Sequence, residues 1–188
     1  MLGVGNKFPD FDLPSCDADN NLGRTRFISS TGESVVDAAE KETCEDKWHV
    51  FYFYPKDFTF ICPTEIKEMD RLVDYQVPPG VHVVGFSGDN EFCKKAWKES
   101  NGLIKDIRHP LVADTGLTLS EKLGIVDWSE GVCRRATFIV DPTNTIQHAS
   151  ENALDTGRNV SEVIRTLKAL QSGGLTACSW QPGDDFVA

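Results

Sequence analysis

None of the six cysteines stands in a Cys-x-x-Cys pair and no two of the four histidines lie four residues apart. The first absence argues against a local dithiol of the protein disulfide-exchange kind, and the second against a helical zinc motif. His49, His82, His109 and His148 are isolated, each a surface or core residue by expectation. There is no run approaching the ~20 apolar residues that a membrane span needs. Residues 1–30 carry no basic segment followed by an apolar core, so the expectation is a soluble, cytoplasmic protein. Basic residues are in deficit: 19 Lys and Arg against 29 Asp and Glu give a formal net charge of −10 and a pI near 4.8. That balance opposes binding to nucleic acid or to an anionic membrane, and the basic doublets Lys94-Lys95 and Arg134-Arg135 are too short to reverse it. No internal repeat or low-complexity segment is present.

What the chain does have is enough length for a core without staples. Its 188 residues fit one domain, which at this size buries roughly 70% of the surface of the unfolded chain. Six cysteines in a reducing compartment are then redox-active or buried rather than a disulfide framework.

Trp48 to Tyr54 is an apolar, aromatic run, the pattern of a buried central strand, and it stops at Pro55, which cannot donate to a sheet ladder. Seven residues later Cys62-Pro63-Thr64-Glu65 carries a helix start: proline suited to the first helical position, an acidic first turn, then Ile66, Met69, Leu72 and Val73 at helical spacing. Cys62 therefore falls at the N-cap or in the first turn. There the unpaired N–H groups and the positive end of the helix dipole favour an anion, and cysteines so placed ionise more readily than free cysteine. Thr59 precedes Cys62 by three residues, so one tight turn brings its hydroxyl towards the sulfur, where it can both donate and accept. Pro55 and Phe58 would keep the pocket dry. The plainer alternative is that Cys62 is a small buried hydrophobe, as most free cysteines are.

Pro55-x-x-x-Thr59-x-x-Cys62 resembles the active-site signature of the peroxiredoxins, and the fourteen residues from Phe53 to Ile66 resemble their typical two-cysteine branch, of the alkyl hydroperoxide reductase kind. The likeness runs from about Gly5 to about Gly183. It implies a thioredoxin-like fold and a cofactor-free, metal-free thiol peroxidase that reduces hydrogen peroxide and organic hydroperoxides in antioxidant defence. It implies Cys62 as the attacking sulfur and Arg135 as the cation beside it, since Arg135 precedes Ala136-Thr137-Phe138-Ile139-Val140 where similar chains place their arginine. Arg134 is the alternative, and adjacent strand residues point to opposite faces, so only one can face the pocket. Glu65 is either the residue that orients that arginine or an ordinary first-turn acid. The resemblance further implies a second, resolving thiol in the C-terminal segment, a dithiol reductant such as thioredoxin or an adaptor protein, and a homodimer assembling into rings. Cys178 is the candidate resolver, but the Val-Cys-Pro around it in most such chains is missing. In the actinobacterial branch a Cys-x-Cys pair precedes Asn-Trp; here Thr176 stands in the place of the first cysteine and Cys178 in that of the second. Cys133 is the rival, with Cys16, Cys44 and Cys93 as bystanders. The competing functions are a protein thiol–disulfide oxidoreductase and a redox-regulated holdase.

In order, the pattern predicts a short edge strand within residues 3–13, then a polar excursion with a short helix near 35–44. The Cys62 helix is followed by a strand over 81–87, a helix over 91–99 capped by Asp89 or Asn90, and a short strand at 111–113. A helix from Asp114 or Thr115 to Leu123, a strand at 136–140, a hairpin return over 145–150 and a helix opened by Asn159 and closed by Gly173-Gly174 complete it. Strands alternating with helices imply an α/β fold: a central mixed sheet with helices on both faces, the thioredoxin-like layout. The expected division is a domain over residues 1–170 and a C-terminal tail over 171–188.

Overall fold

The computed structural model describes residues 1–28, 33–35, 47–74 and 80–188; the helix expected near 35–44, and Cys44 with it, lies outside them except for Val35. Ten strands are described: β1 (Phe11–Cys16), β2 (Leu22–Ile28), β3 (Glu33–Val35), β4 (Trp48–Phe53), β5 (Val81–Ser87), β6 (Leu111–Ala113), β7 (Val126–Asp127), β8 (Val132–Cys133), β9 (Arg135–Val140) and β10 (Ile146–Asn152). Four helices accompany them: α1 (Cys62–Met69), prolonged by a 3-10 turn over Asp70–Asp74, α2 (Glu91–Ser100), α3 (Thr118–Leu123) and α4 (Val160–Ser172). The main sheet has the order β10-β9-β4-β5-β6-β1-β2-β3, and β7 and β8 form a separate ribbon. β4, β5 and β6 run parallel, while β9, β10, β1, β2 and β3 are joined antiparallel. The sheet is therefore mixed, as the alternation of elements predicts.

β4 is central because it is apolar on both faces: all six of its residues are buried. On one side Phe51 and Phe53 meet Phe8, Phe86 and Phe138, with Phe8–Phe51 centroids at 4.5 Å and Phe53 stacked on Phe86 at 4.6 Å. On the other, Tyr52 stands opposite Gly85 in register. A Cβ at Gly85 would lie 2.5 Å from the Tyr52 hydroxyl, so only glycine leaves room for that ring. α2 packs across β1 and β6, with Trp97 buried at its centre beside Tyr54 and Phe58.

Three expectations shift. The first strand begins at Phe11 and is not an edge: β1 is flanked by β2 and β6, because the polar excursion after it returns as two further antiparallel strands. α3 starts at Thr118, later than expected, because Asp114 to Leu117 first close a turn in which Leu117 takes φ +53°. Asp114 still caps the helix, its carboxylate accepting from the N–H groups of Leu119 and Ser120 at 3.1 and 2.8 Å. In α1, Cys62 is the first helical residue and Pro63 the second, one place later than the proline expectation. Elsewhere the caps are as expected: the Asn90 side chain accepts from the N–H of Cys93, that of Asn159 from the N–H of Glu162, and Gly173 closes α4 at φ +66°.

The chain forms two compact units, Met1–Arg158 and Asn159–Ala188. The first holds the sheet and α1 to α3. The second holds α4, a turn through Cys178 in which Ser179 takes φ +59°, and the stacked pair Trp180 and Phe186. Among the described residues no helix is long and apolar enough to cross a membrane.

Candidate active site

β4 runs parallel to β5 and antiparallel to β9, so the end of β4, where the chain departs towards Cys62, lies beside the start of β9, where Arg135 stands. That topology closes a gap of 73 residues to a contact: Arg135 Nη1 is 3.4 Å from Cys62 Sγ. Both are buried, Cys62 at 0% exposure and Arg135 at 4%. The same Nη1 donates to Glu65 Oε2 at 2.6 Å, and Nε donates to the carbonyl of Leu154 at 2.8 Å. Glu65 follows Cys62 by three residues and so shares its helix face, which makes it the orienting carboxylate rather than a solvated first-turn acid. Arg134 points the other way, paired with Glu151 at 2.6 Å on a partly exposed surface.

A second guanidinium completes the cluster. Arg158, in the connection from β10 to α4, pairs with Glu65 Oε2 at 3.0 Å and donates its backbone N–H to Oε1 at 2.9 Å. Its side chain also donates to Thr137 Oγ1 and to the carbonyls of Phe53 and Ala136, and it lies over the Tyr52 ring. No spacing in the sequence announces Arg158. Beneath it, Tyr52 Oη and His109 Nε2 are 2.7 Å apart and His109 Nδ1 lies 3.2 Å from Asp70. Burial holds the tyrosine hydroxyl well above its ordinary pKa and His109 below its own, so this support is neutral at its Tyr and His members at neutral pH.

Two guanidinium groups, those of Arg135 and Arg158, meet on the single carboxylate of Glu65, and Arg135 also reaches the Cys62 sulfur. Desolvation works against the Arg135 charge, but the hydrogen bond to Cys62 and the Glu65 charge outweigh it, and its pKa is raised. The first-turn backbone contributes less than expected, since the N–H groups of Thr64 and Glu65 both donate to the carbonyl of Ile61. Thr59 is half-buried, and its hydroxyl donates to the carbonyl of Lys56 at 2.9 Å, which leaves its oxygen lone pairs as acceptors.

The loop carrying Pro55 and Thr59 is pinned by Asp57. Its Oδ1 accepts from Tyr54 Oη at 2.9 Å, from Ser87 Oγ at 3.1 Å and from Lys94 Nζ at 3.4 Å, and its N–H donates to Asp89 at 2.7 Å. The Lys94 and Asp57 side chains are both fully buried. Removing one partner of such a pair costs about 3–5 kcal/mol because the other charge is stranded. Lys94→Met is expected to lose that much in urea unfolding, and Lys94→Met with Asp57→Asn to regain part of it; a single variant within about 0.5 kcal/mol of the parent contradicts the pin.

The other cysteines differ in kind from Cys62. Cys133 is fully buried, its thiol donating to the carbonyl of Tyr54 at 3.0 Å, and burial pushes its pKa up to about 12. The Cys16 thiol donates to Asn20 Oδ1 at 3.0 Å and is likewise raised by burial. Cys178 is exposed, in the second unit, beside a cavity of about 550 Å³ lined by Arg165, Thr166 and Ala169 among others. Among the described residues no cysteines are disulfide-linked.

A buried, guanidinium-bound sulfur at the start of a helix on a thioredoxin-like sheet defines the thiol-dependent peroxidases, and the chain belongs to the AhpC/TSA family, whose model matches residues 4–149. It is 44% identical over 184 residues to alkyl hydroperoxide reductase C of Mycobacterium tuberculosis, covering 98% of this chain and 92% of that protein. It is 37% identical over 187 residues to alkyl hydroperoxide reductase C of Mycolicibacterium smegmatis, covering 100% and 94%. The crystal structure of Plasmodium vivax 2-Cys peroxiredoxin in its reduced form superposes with a TM-score of 0.82 at 28% identity over 99% of this chain and 93% of that one. The enzyme is a peroxiredoxin, and the disulfide-oxidoreductase and holdase alternatives are not favoured.

Proposed function

We propose that Cys62 attacks hydrogen peroxide and organic hydroperoxides directly. The thiolate displaces the leaving oxygen in line, so the S–O bond forms as the O–O bond breaks; Cys62 becomes a sulfenic acid, and the alkoxide or hydroxide takes a proton to leave as alcohol or water. The 3.4 Å contact between Arg135 and Cys62 carries this reading, because it sets a fixed cation where negative charge moves from sulfur to oxygen. Thr59 accepts a hydrogen bond from the bound hydroperoxide, and Pro55 shields the sulfur from water. Glu65 and Arg158 hold Arg135 in place.

Cys178, carried on the tail over residues 171–188, resolves the sulfenic acid: its thiol attacks Cys62 sulfur, water leaves, and a disulfide forms before further oxidation. Its exposure supports this role. Cys133, hydrogen-bonded in the core with a pKa near 12, suits it poorly. A dithiol partner such as thioredoxin or an adaptor then reduces the disulfide and is itself oxidised, in the cytoplasm. The exposed Phe58, Phe60 and Phe92 support self-association as a homodimer that assembles into a ring. After one equivalent of peroxide, a mass-spectrometric map is expected to show a Cys62–Cys178 link in the parent and a lasting Cys62 sulfenic acid in Cys178→Ser. A Cys62–Cys133 link, or no link at all, refutes the resolver.

A further inference from the structure

Beside the loop that carries Thr59, three potential metal-binding side chains from three elements converge: Asp57 from the β4–α1 loop, Asp89 from the β5–α2 turn and Cys93 from the first turn of α2. One ligand atom from each lies within 4.8 Å of the other two. The Asp57 side chain is fully buried, and while its Oδ1 takes three donors, its Oδ2 has no hydrogen-bond partner. A buried carboxylate oxygen without a partner is costly and calls for a water or an ion. Asp89 and Cys93 are only half-buried, which leaves a way in from solvent.

We propose that Asp57 Oδ2, Asp89 and Cys93 form a divalent-cation site of the zinc class. Two hard oxygens and one thiolate suit a borderline-soft ion, with a fourth position left for water. The charges close: two carboxylates and a Cys93 thiolate sum to −3, and Lys94 with a divalent cation supplies +3. Without the ion the site is net negative, with two carboxylates against the single charge of Lys94. On binding, the thiol releases its proton to solvent and sulfur takes the metal in its place. Such an ion ties the loop ahead of Cys62 to α2, so its occupancy would stiffen the segment that must give way before a second thiol reaches the buried Cys62. The competing arrangement is a protonated Cys93 whose thiol donates to Asp57, with no affinity for metal.

Cobalt(II) titration of the full chain carrying Cys62→Ser and Cys178→Ser separates the two. Saturable binding of one equivalent is expected, with a thiolate-to-cobalt charge-transfer band and the visible bands of a tetrahedral ion, both displaced by zinc. Adding Cys93→Ser is expected to abolish the charge-transfer band, and adding Asp89→Asn to weaken binding by at least ~10-fold, with far-ultraviolet circular dichroism confirming that both variants fold. No saturable binding, cobalt bound without the charge-transfer band, or a band that survives Cys93→Ser overturns the assignment.

Discussion

Cys62→Ser is expected to reduce peroxide consumption to the uncatalysed reaction of peroxide with dithiothreitol. The hydroxyl occupies nearly the same volume as the thiol and can still accept from Arg135 at this fully buried position, but it carries no charge to set against the guanidinium, so the variant is expected to fold with a lowered thermal unfolding midpoint. The chemistry does not survive: serine oxygen is not ionised at neutral pH and cannot be oxidised by taking up a peroxide oxygen, whereas sulfur can. Undiminished turnover in a folded Cys62→Ser variant refutes the assignment of the nucleophile.

Arg135→Leu is expected to slow the reaction of Cys62 with hydrogen peroxide by about 100–1000-fold, the loss that follows removal of one preorganised donor from developing charge. Arg158 remains on Glu65, so the carboxylate keeps a partner and the protein folds. Arg135→Lys is expected to recover only part of the rate, because an ammonium lacks the planar fork that reaches sulfur, Glu65 and the Leu154 carbonyl together. Arg134→Leu is the control: its guanidinium faces Glu151, and the rate is expected to stay within about twofold of the parent, the scale of a surface change of ±0.5 kcal/mol. If Arg134→Leu costs as much as Arg135→Leu, the cation beside the sulfur is misassigned.

The parts of this site legible in the sequence are those set by local rules. An apolar, aromatic strand, a proline stop and a proline-acid helix start place Cys62 at the N-cap or in the first turn of α1, where the structure makes it the first helical residue, and period-two alternation means that only one of Arg134 and Arg135 can enter the pocket. The hidden parts depend on non-local register. Arg158 lies in a loop with no periodicity, and it reaches Glu65 only because β10 returns beside β9 and ends there. Asp57 and Lys94 look like surface charges in a row of letters, yet their side chains are fully buried because Lys94 reaches from α2 to Ser87 at the end of β5 and to Asp57 in the loop before Cys62. The displaced first strand has the same origin: whether β1 is an edge is decided by the pairing of β2 and β6 on its two sides, not by its own alternation.

The most direct measurement is the second-order rate of Cys62 with hydrogen peroxide, followed by stopped-flow on the Cys178→Ser variant at neutral pH. A sulfur held by Arg135 at the start of α1 is expected to react at least ~10³-fold faster than free cysteine under the same conditions. A rate equal to that of free cysteine would contradict the arrangement of Cys62, Arg135 and Glu65 as a peroxide-reducing centre.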